Sequence, residues 1–307
     1  MRDYNKIIDS LAVQCIKARH IRVLQALTID SFYDVENIVI LPNKGTISYT
    51  QAGAQQQVAP GEMLFIPGGQ PITITYGRNN PLQLDQEAFT DDHQRYFQAM
   101  AAPDLEGQLE NFSYITFEAK LLEAVNFFTS LAIPPFIIKD NAHLSNTLKS
   151  ILLESSAATI GNARMVQTYT EQLVIEIVRH LIANHLFTDN LITHSHYFKD
   201  PRLIKLLHYI RDNLGGNLSN RKLAAVAHVS EDYVGQYFKM LIGINPQDYI
   251  EFQRMERAVK LLSTTQKSIR DIGQEVGFKD TAYFCRRFRM RFGIPAGKMR
   301  RKASFSI

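Results

Sequence analysis

Cysteine is nearly absent from this chain of 307 residues: Cys15 and Cys285 are the only two, and they stand far apart. A disulfide framework is therefore not expected, and a reducing, cytoplasmic setting fits. Long apolar runs are missing as well. No stretch approaches the roughly 18 to 20 residues of a membrane span. The amino terminus, MRDYNKIIDS, lacks the basic-then-apolar order of a secretion signal. Neither a G-x-S-x-G elbow nor a phosphate-binding glycine loop is found, and histidine is absent between Ile21 and Asp92. What remains is an ordinary soluble composition, 45% hydrophobic and 21% charged, long enough for two domains with separate cores.

The net charge of +4 conceals a divided molecule. Residues 199–307 hold 21 Lys and Arg against 10 Asp and Glu, a net of +11, while residues 1–198 hold 13 against 20, a net of −7. A basic half attracts phosphate and steers encounter with nucleic acid; an acidic half discourages it. The cations concentrate at Arg286, Arg287, Arg289 and Arg291, and again from Lys298 to Lys302.

From Ile21 to about Phe117 short β-branched and aromatic runs alternate with Gly, Pro and Asn, the pattern of a barrel or sandwich. The segment from Val58 to Gln70, VAPGEMLFIPGGQ, resembles the Pro-Gly-bounded hairpin of a cupin-like double-stranded β-helix. Cupin metal sites use several His and a carboxylate from neighbouring strands. Here Gln70 and Pro71 stand where such a His is carried, so neither a metal nor a catalytic centre is expected, and no cofactor. A barrel without metal is a container for a small ligand or a platform for a partner. Tyr49, Phe65, Thr73, Thr75 and Tyr76 are candidates for lining such a container, or plain strand residues.

Helical periodicity follows. Val166, Tyr169, Leu173, Ile177 and Leu181 recur on one face, widened by Val174, Val178 and Ile182. A stripe this broad can pack on the barrel and on a second copy of the chain, so a homodimer through these five residues is expected; a helix that only seals its own domain is the alternative. The expected division is an effector-binding or dimerisation domain over 1–190, a polar linker over 191–200 that includes His194 and His196, and a DNA-binding domain over 201–307.

The last hundred residues carry one helix-turn-helix pattern twice, about fifty residues apart. The copies run from Leu218 to Gly243, LSNRKLAAVAHVSEDYVGQYFKMLIG, and from Lys267 to Gly293, KSIRDIGQEVGFKDTAYFCRRFRMRFG. In each, a short helix with a small-residue face is followed by a tight turn and a helix with aromatic anchors, Tyr237 and Phe238 or Tyr283, Phe284 and Phe288. A second helix held at a fixed angle by a turn is the geometry that enters a major groove. A long helix from about Gln247 to Leu262 joins the copies. Ser219, Ser230, Ser268 and Asp280 are expected caps, and Gly277 the left-handed turn. Candidate DNA contacts are Asp232, Tyr233, Gly235, Gln236 and Lys239 in the first reading helix. In the second they are Thr281, Ala282, Cys285, Arg286 and Arg289, with Arg287 and Arg291 placed for phosphates.

This segment, about Arg202 to Arg300, resembles the DNA-binding domain of the arabinose-operon regulator (AraC/XylS) family. The resemblance rests on Leu223-Ala224, Ser230, Tyr237-Phe238-Lys239, Gly243, Tyr249-Ile250, Arg254-Met255 and Ala258. It continues through Leu261-Leu262, Ser268-Ile269, Ile272, Val276-Gly277-Phe278, Tyr283-Phe284, Phe288, Gly293 and Arg300. It implies an α+β chain: a cupin-like barrel with a helical dimerisation segment, then an all-α domain with two helix-turn-helix motifs. The implied function is a sequence-specific transcription regulator, an activator working with RNA polymerase, bound to double-stranded DNA and responsive to a small-molecule effector. Departures are Gly235 where a helix-favouring residue is usual, Gln236 where Arg or Lys is frequent, and Gly273 in place of Ala. A ligand-independent regulator whose barrel serves only assembly, and a barrel enzyme fused to a DNA-binding domain, stay open as other readings.

Overall fold

The computed structural model of the chain describes residues 2–51, 53–121, 125–187, 200–242 and 244–304. The expected linker, apart from Asp200, lies outside the described residues, as do His194, His196 and Gly243. Two compact units are present, one of residues 11–120 and 126–188, the other dominated by the carboxy-terminal helices. A short helix, α1 (Arg2–Asp9), opens the chain.

The amino-terminal unit is built from β1 (Leu11–Val23), β2 (Leu27–Phe32), β3 (Asn37–Lys44), β4 (Ile47–Gln51), β5 (Ala54–Val58) and β6 (Met63–Ile66). It continues with β7 (Ile72–Tyr76), β8 (Leu82–Asp85), helix α2 (Gln86–Tyr96), β9 (Phe97–Met100), β10 (Asn111–Leu121), β11 (Val125–Asn126), α3 (Phe127–Ser130) and β12 (Phe136–Ile138). One sheet has the main order β12-β6-β3-β10-β1-β9, the other β5-β4-β7-β2-β8. They enclose one core, to which Ile21, Leu27, Ile40, Tyr49, Ile74, Tyr76 and Phe112 contribute from both sides. Burying such side chains contributes about 1.5–3 kcal/mol each against the entropy of ordering the strands.

Three expectations are corrected. Strand structure begins at Leu11, ten residues before Ile21, and is interrupted by α2, which Asp85 caps by accepting from the Ala88 amide at 2.7 Å. The Pro60-Gly61 segment is not a hairpin: β5 pairs with β4 in one sheet, while β6 pairs with β3 and β12 in the other. The turn carries the chain across the core, a distinction that strand periodicity does not encode. The third correction concerns helices α4 (Ala142–Ser156) and α5 (Asn162–Ala183), which pack on each other and on β1. Leu173, Ile177 and Leu181 are each 0% exposed within the single chain. They are used up against α4 and the sheet, so they cannot face a second copy. Of the expected stripe Val166, Tyr169 and Ile182 retain partial exposure, and Met165, Ile160 and Leu153 are exposed.

The candidate ligand residues are occupied by neighbours of their own domain. Tyr49 is buried, and its hydroxyl donates to Gln56 Oε1 at 2.8 Å. Phe65 packs among Phe117, Phe128 and Phe136, and Tyr76 stacks on Phe112 at 4.8 Å. Thr75 bonds Thr28 at 2.9 Å, and Thr73 donates to Asp30 at 3.4 Å.

Candidate nucleic-acid interface

Asp200 starts the carboxy-terminal helices. Its carboxylate accepts from the Arg202 amide at 2.9 Å and caps α6 (Pro201–Asp212), while the Arg202 guanidinium binds it at 2.8 Å. That guanidinium holds the carboxyl down at about 2. Leu203, Leu206, Leu207 and Ile210, spaced for one helix face, are all buried against the next elements. Short α7 (Asn220–Ala227) follows. Ser219 occupies its N-cap without a side-chain bond, and His228 ends it in the left-handed region at φ 54°. The small Leu223-Ala224-Ala227 face lets α8 (Glu231–Ile242) pack closely across the turn. Helix α8 turns Val234, Tyr237, Phe238, Leu241 and Ile242 inward. Burial, with the Asp200 carboxylate alongside, pushes the Tyr237 phenol up to about 12. Asp232, Tyr233, Gln236 and Lys239 are left exposed, and Gly235 is half-buried.

Helix α9 (Pro246–Thr264) is about 28 Å long at 1.5 Å per residue, and it buries Tyr249, Ile250, Met255, Ala258, Leu261 and Leu262. The second module opens with a reciprocal cap on α10 (Ile269–Glu275). Ser268 Oγ accepts from the Asp271 amide at 3.0 Å and donates to its carboxylate at 2.7 Å. Gly277 takes φ +97°, a conformation that glycine adopts without Cβ strain, and Phe278 plugs the turn. At Gly273 a Cβ would stand 3.2 Å from the Phe284 ring, closer than ordinary van der Waals contact.

Asp280 caps α11 (Thr281–Phe292), which Gly293 ends at φ 72° before α12 (Ala296–Ser304). Phe284, Phe288 and Phe292 line its buried face. Tyr283 does not join them. It is 41% exposed, one position off the 284-288-292 row, and the expected inward anchor is corrected to a surface residue. On the far side Ala282, Arg286 and Arg289, at i, i+4 and i+7, form one exposed stripe, with Thr281 and Cys285 half-buried beside it.

The four arginines of α11 are not equivalent. Arg286 lies over the Tyr283 ring at 5.7 Å and points away from the core. Arg287 turns back to α9, where its Nε donates to Glu251 at 2.7 Å. It was expected at phosphates and is instead engaged within the protein. Arg291 lies over the Phe252 ring of α9 at 4.6 Å while remaining exposed. Two further residues gain roles that only the structure assigns. Glu251 anchors Arg287, and Arg254 reaches the loop between α6 and α7. Position 254 sits between Ile250 and Ala258 on the buried row of α9, and a cation in line with an apolar row is the sequence signal for such an inward-turned side chain.

Comparison with known proteins agrees with this architecture. Residues 223–302 match a family model described as a helix-turn-helix domain. An uncharacterised HTH-type transcriptional regulator of Haemophilus influenzae is 24% identical over 278 residues, 88% of this chain and 87% of that protein. The arabinose operon regulatory protein of Escherichia coli is 33% identical over 135 residues, 43% of this chain and 45% of that protein. Its Salmonella typhimurium counterpart is 28% identical over 254 residues, covering 81% and 77%. Among solved structures, ToxT from Vibrio cholerae superposes with a TM-score of 0.53 at 11% identity, over 97% of this chain and all of that one, a likeness of fold. With two helix-turn-helix modules, the carboxy-terminal part of the chain is an AraC-type helix-turn-helix DNA-binding domain, and the relatives of the chain are HTH-type transcription regulators, the arabinose operon regulatory proteins among them.

Proposed function

We propose that α8 and α11 enter two successive major grooves on one face of a duplex. Asp232, Tyr233, Gly235, Gln236 and Lys239 meet DNA from the first, and Thr281, Ala282, Cys285, Arg286 and Arg289 from the second, with Arg291 at a phosphate. The observation that carries this reading is the exposed Ala282-Arg286-Arg289 stripe, turned away from the buried phenylalanines of α11. Arginine on a groove-facing helix is the commonest specific partner of guanine. Selection of bound duplexes from a random library with the full-length chain tests it. The expected product is an asymmetric bipartite site with half-sites about one helical turn apart. Binding no better than to bulk competitor at low salt overturns it.

The barrel unit with α4 and α5 is the effector-binding and assembly domain, residues 1–190, and residues 201–307 form the DNA-binding domain. The chain is a cytoplasmic homodimer that activates transcription through contact with RNA polymerase and carries no catalytic activity of its own. Among the described residues no helix is long and apolar enough to cross a membrane. Dimerisation uses the exposed edge at Leu153, Ile160, Met165 and Tyr169. A second reading, in which the barrel serves assembly alone, draws on one observation: the space between the two sheets is filled by the domain's own Ile, Leu, Tyr and Phe side chains. Thermal denaturation of the full chain against a library of small metabolites separates the two, since only an effector-binding domain shifts its midpoint.

A further inference from the structure

Helix α9 joins the two reading modules, and a rod joined through short connections leaves freedom of twist at its ends. Arg254 reaches both modules from that rod. From the middle of α9 its Nε donates to the carbonyl of Leu214 and its Nη2 to the carbonyl of Gly216, both at 2.9 Å, in the loop between α6 and α7 of the first module. The same guanidinium lies 6.0 Å from the Phe278 ring centre and under the left-handed turn of the second module, where a Cβ on Gly277 would stand 2.7 Å from it. Burial lowers its proton affinity, and Glu251, one turn back, opposes that effect. A guanidinium remains charged in such a setting and satisfies two carbonyls in one planar fork, which a lysine does not. An independent contact runs beside it: Gly215 lies so close to the Glu275 carbonyl, at the end of α10, that a Cβ would stand 2.3 Å from the oxygen. First-module loop and second-module turn thus meet across one side chain and one backbone contact.

We propose that Arg254 is a positioning residue that fixes the register between the two reading helices, and so sets the half-site spacing the protein accepts. The geometry has a direct consequence on DNA. Inserting one base pair between half-sites moves one of them by about 3.4 Å along the axis and by about 34° around it. A clasped pair of modules cannot follow such a step; an unclasped pair can. Touching neither base nor phosphate, Arg254 acts on spacing rather than on sequence.

This inference rests on the two-groove reading above, and the experiment separates their failures. Full-length wild type, Arg254→Met, Arg254→Lys and Gly215→Ala are measured by equilibrium binding at two salt concentrations. The duplexes are the selected bipartite site, its one-base-pair insertion and deletion, and each half-site alone, with thermal midpoints recorded. Wild type is expected to lose at least about tenfold on either spacer change, equivalent to about 1.4 kcal/mol. Arg254→Met and Gly215→Ala flatten this to within about threefold while half-site affinity and the salt slope stay at wild-type values. Arg254→Lys falls between them. If the variants weaken all duplexes in parallel, or if Arg254→Met lowers the salt slope by about one unit with the spacing penalty intact, the assignment is overturned. Should Arg254→Met fail to fold, Arg254→Lys decides: a spacing penalty as steep as that of the wild type, with half-site affinity unchanged, overturns the assignment. A wild-type protein with no bipartite site overturns the two-groove reading instead.

Discussion

Arg286 and Tyr283 stand three residues apart on the exposed side of α11, the guanidinium 5.7 Å from the ring centre. The ring shields one face of a long side chain and limits its rotamers, so less entropy is lost when Arg286 docks on a base. Arg286→Ala is expected to cost about 1–3 kcal/mol on the selected site and to relax preference at one or two base pairs. Binding to a panel of single-base variants checks this. Equal loss on every sequence would make Arg286 a phosphate contact.

Arg287 and Arg291 behave differently from each other. Because Arg287 is held by Glu251 in a half-exposed pair, Arg287→Ala should lower stability by up to about 1 kcal/mol and leave the salt slope unchanged. Arg291→Ala should lower stability by about 0.5–1 kcal/mol through the lost Phe252 contact, weaken all duplexes alike and lower the salt slope by about one unit. Urea unfolding and binding at graded salt, run on both variants, distinguish the two roles.

Gly235 lies inside α8 with open space where a Cβ would be added. Gly235→Ala should therefore stabilise the chain by about 0.5–1 kcal/mol, the helical cost of glycine. If α8 presses its backbone against DNA, the same substitution weakens the selected site while stability rises. Denaturant midpoints and binding constants measured together read both effects, and a loss of stability would contradict the open geometry.

Leu173 and the α4–α5 edge make a contrasting pair. Leu173→Ala opens a cavity beneath α5 and should cost about 2–5 kcal/mol of stability. Met165→Asp with Ile160→Asp touches only exposed positions and should leave stability nearly unchanged while shifting sedimentation toward monomer. An unchanged dimer in the double variant would remove this edge as the contact.

Periodicity carried much of the fold. Leu203, Leu206, Leu207 and Ile210 fall on the core side as their spacing requires, and Ser268 with Asp271 forms the box that their spacing announces. Sheet membership did not follow in the same way, because alternation in β5 and β6 tells inside from outside but not which sheet is paired. The width of the α5 stripe misled for a related reason. Two intramolecular neighbours, α4 and β1, widen a buried face as well as one neighbour and a partner copy would. Arg287 reads as a free cation until Glu251, 36 residues earlier, is seen beside it. Long-range partners of charged side chains leave no local spacing to read.

The exposed faces of α8 and α11 are unlike: one begins with Glu231 and Asp232 and offers Lys239, the other is crowded with arginine. Two dissimilar faces on a single chain have no dyad between them, so on the two-groove reading the matched sequence has none within one protomer's reach. Turned end for end, that sequence offers the arginine face the wrong half. On that reading each bound DNA-binding domain points one way along the double helix, and a site reversed at a promoter is read in the opposite direction.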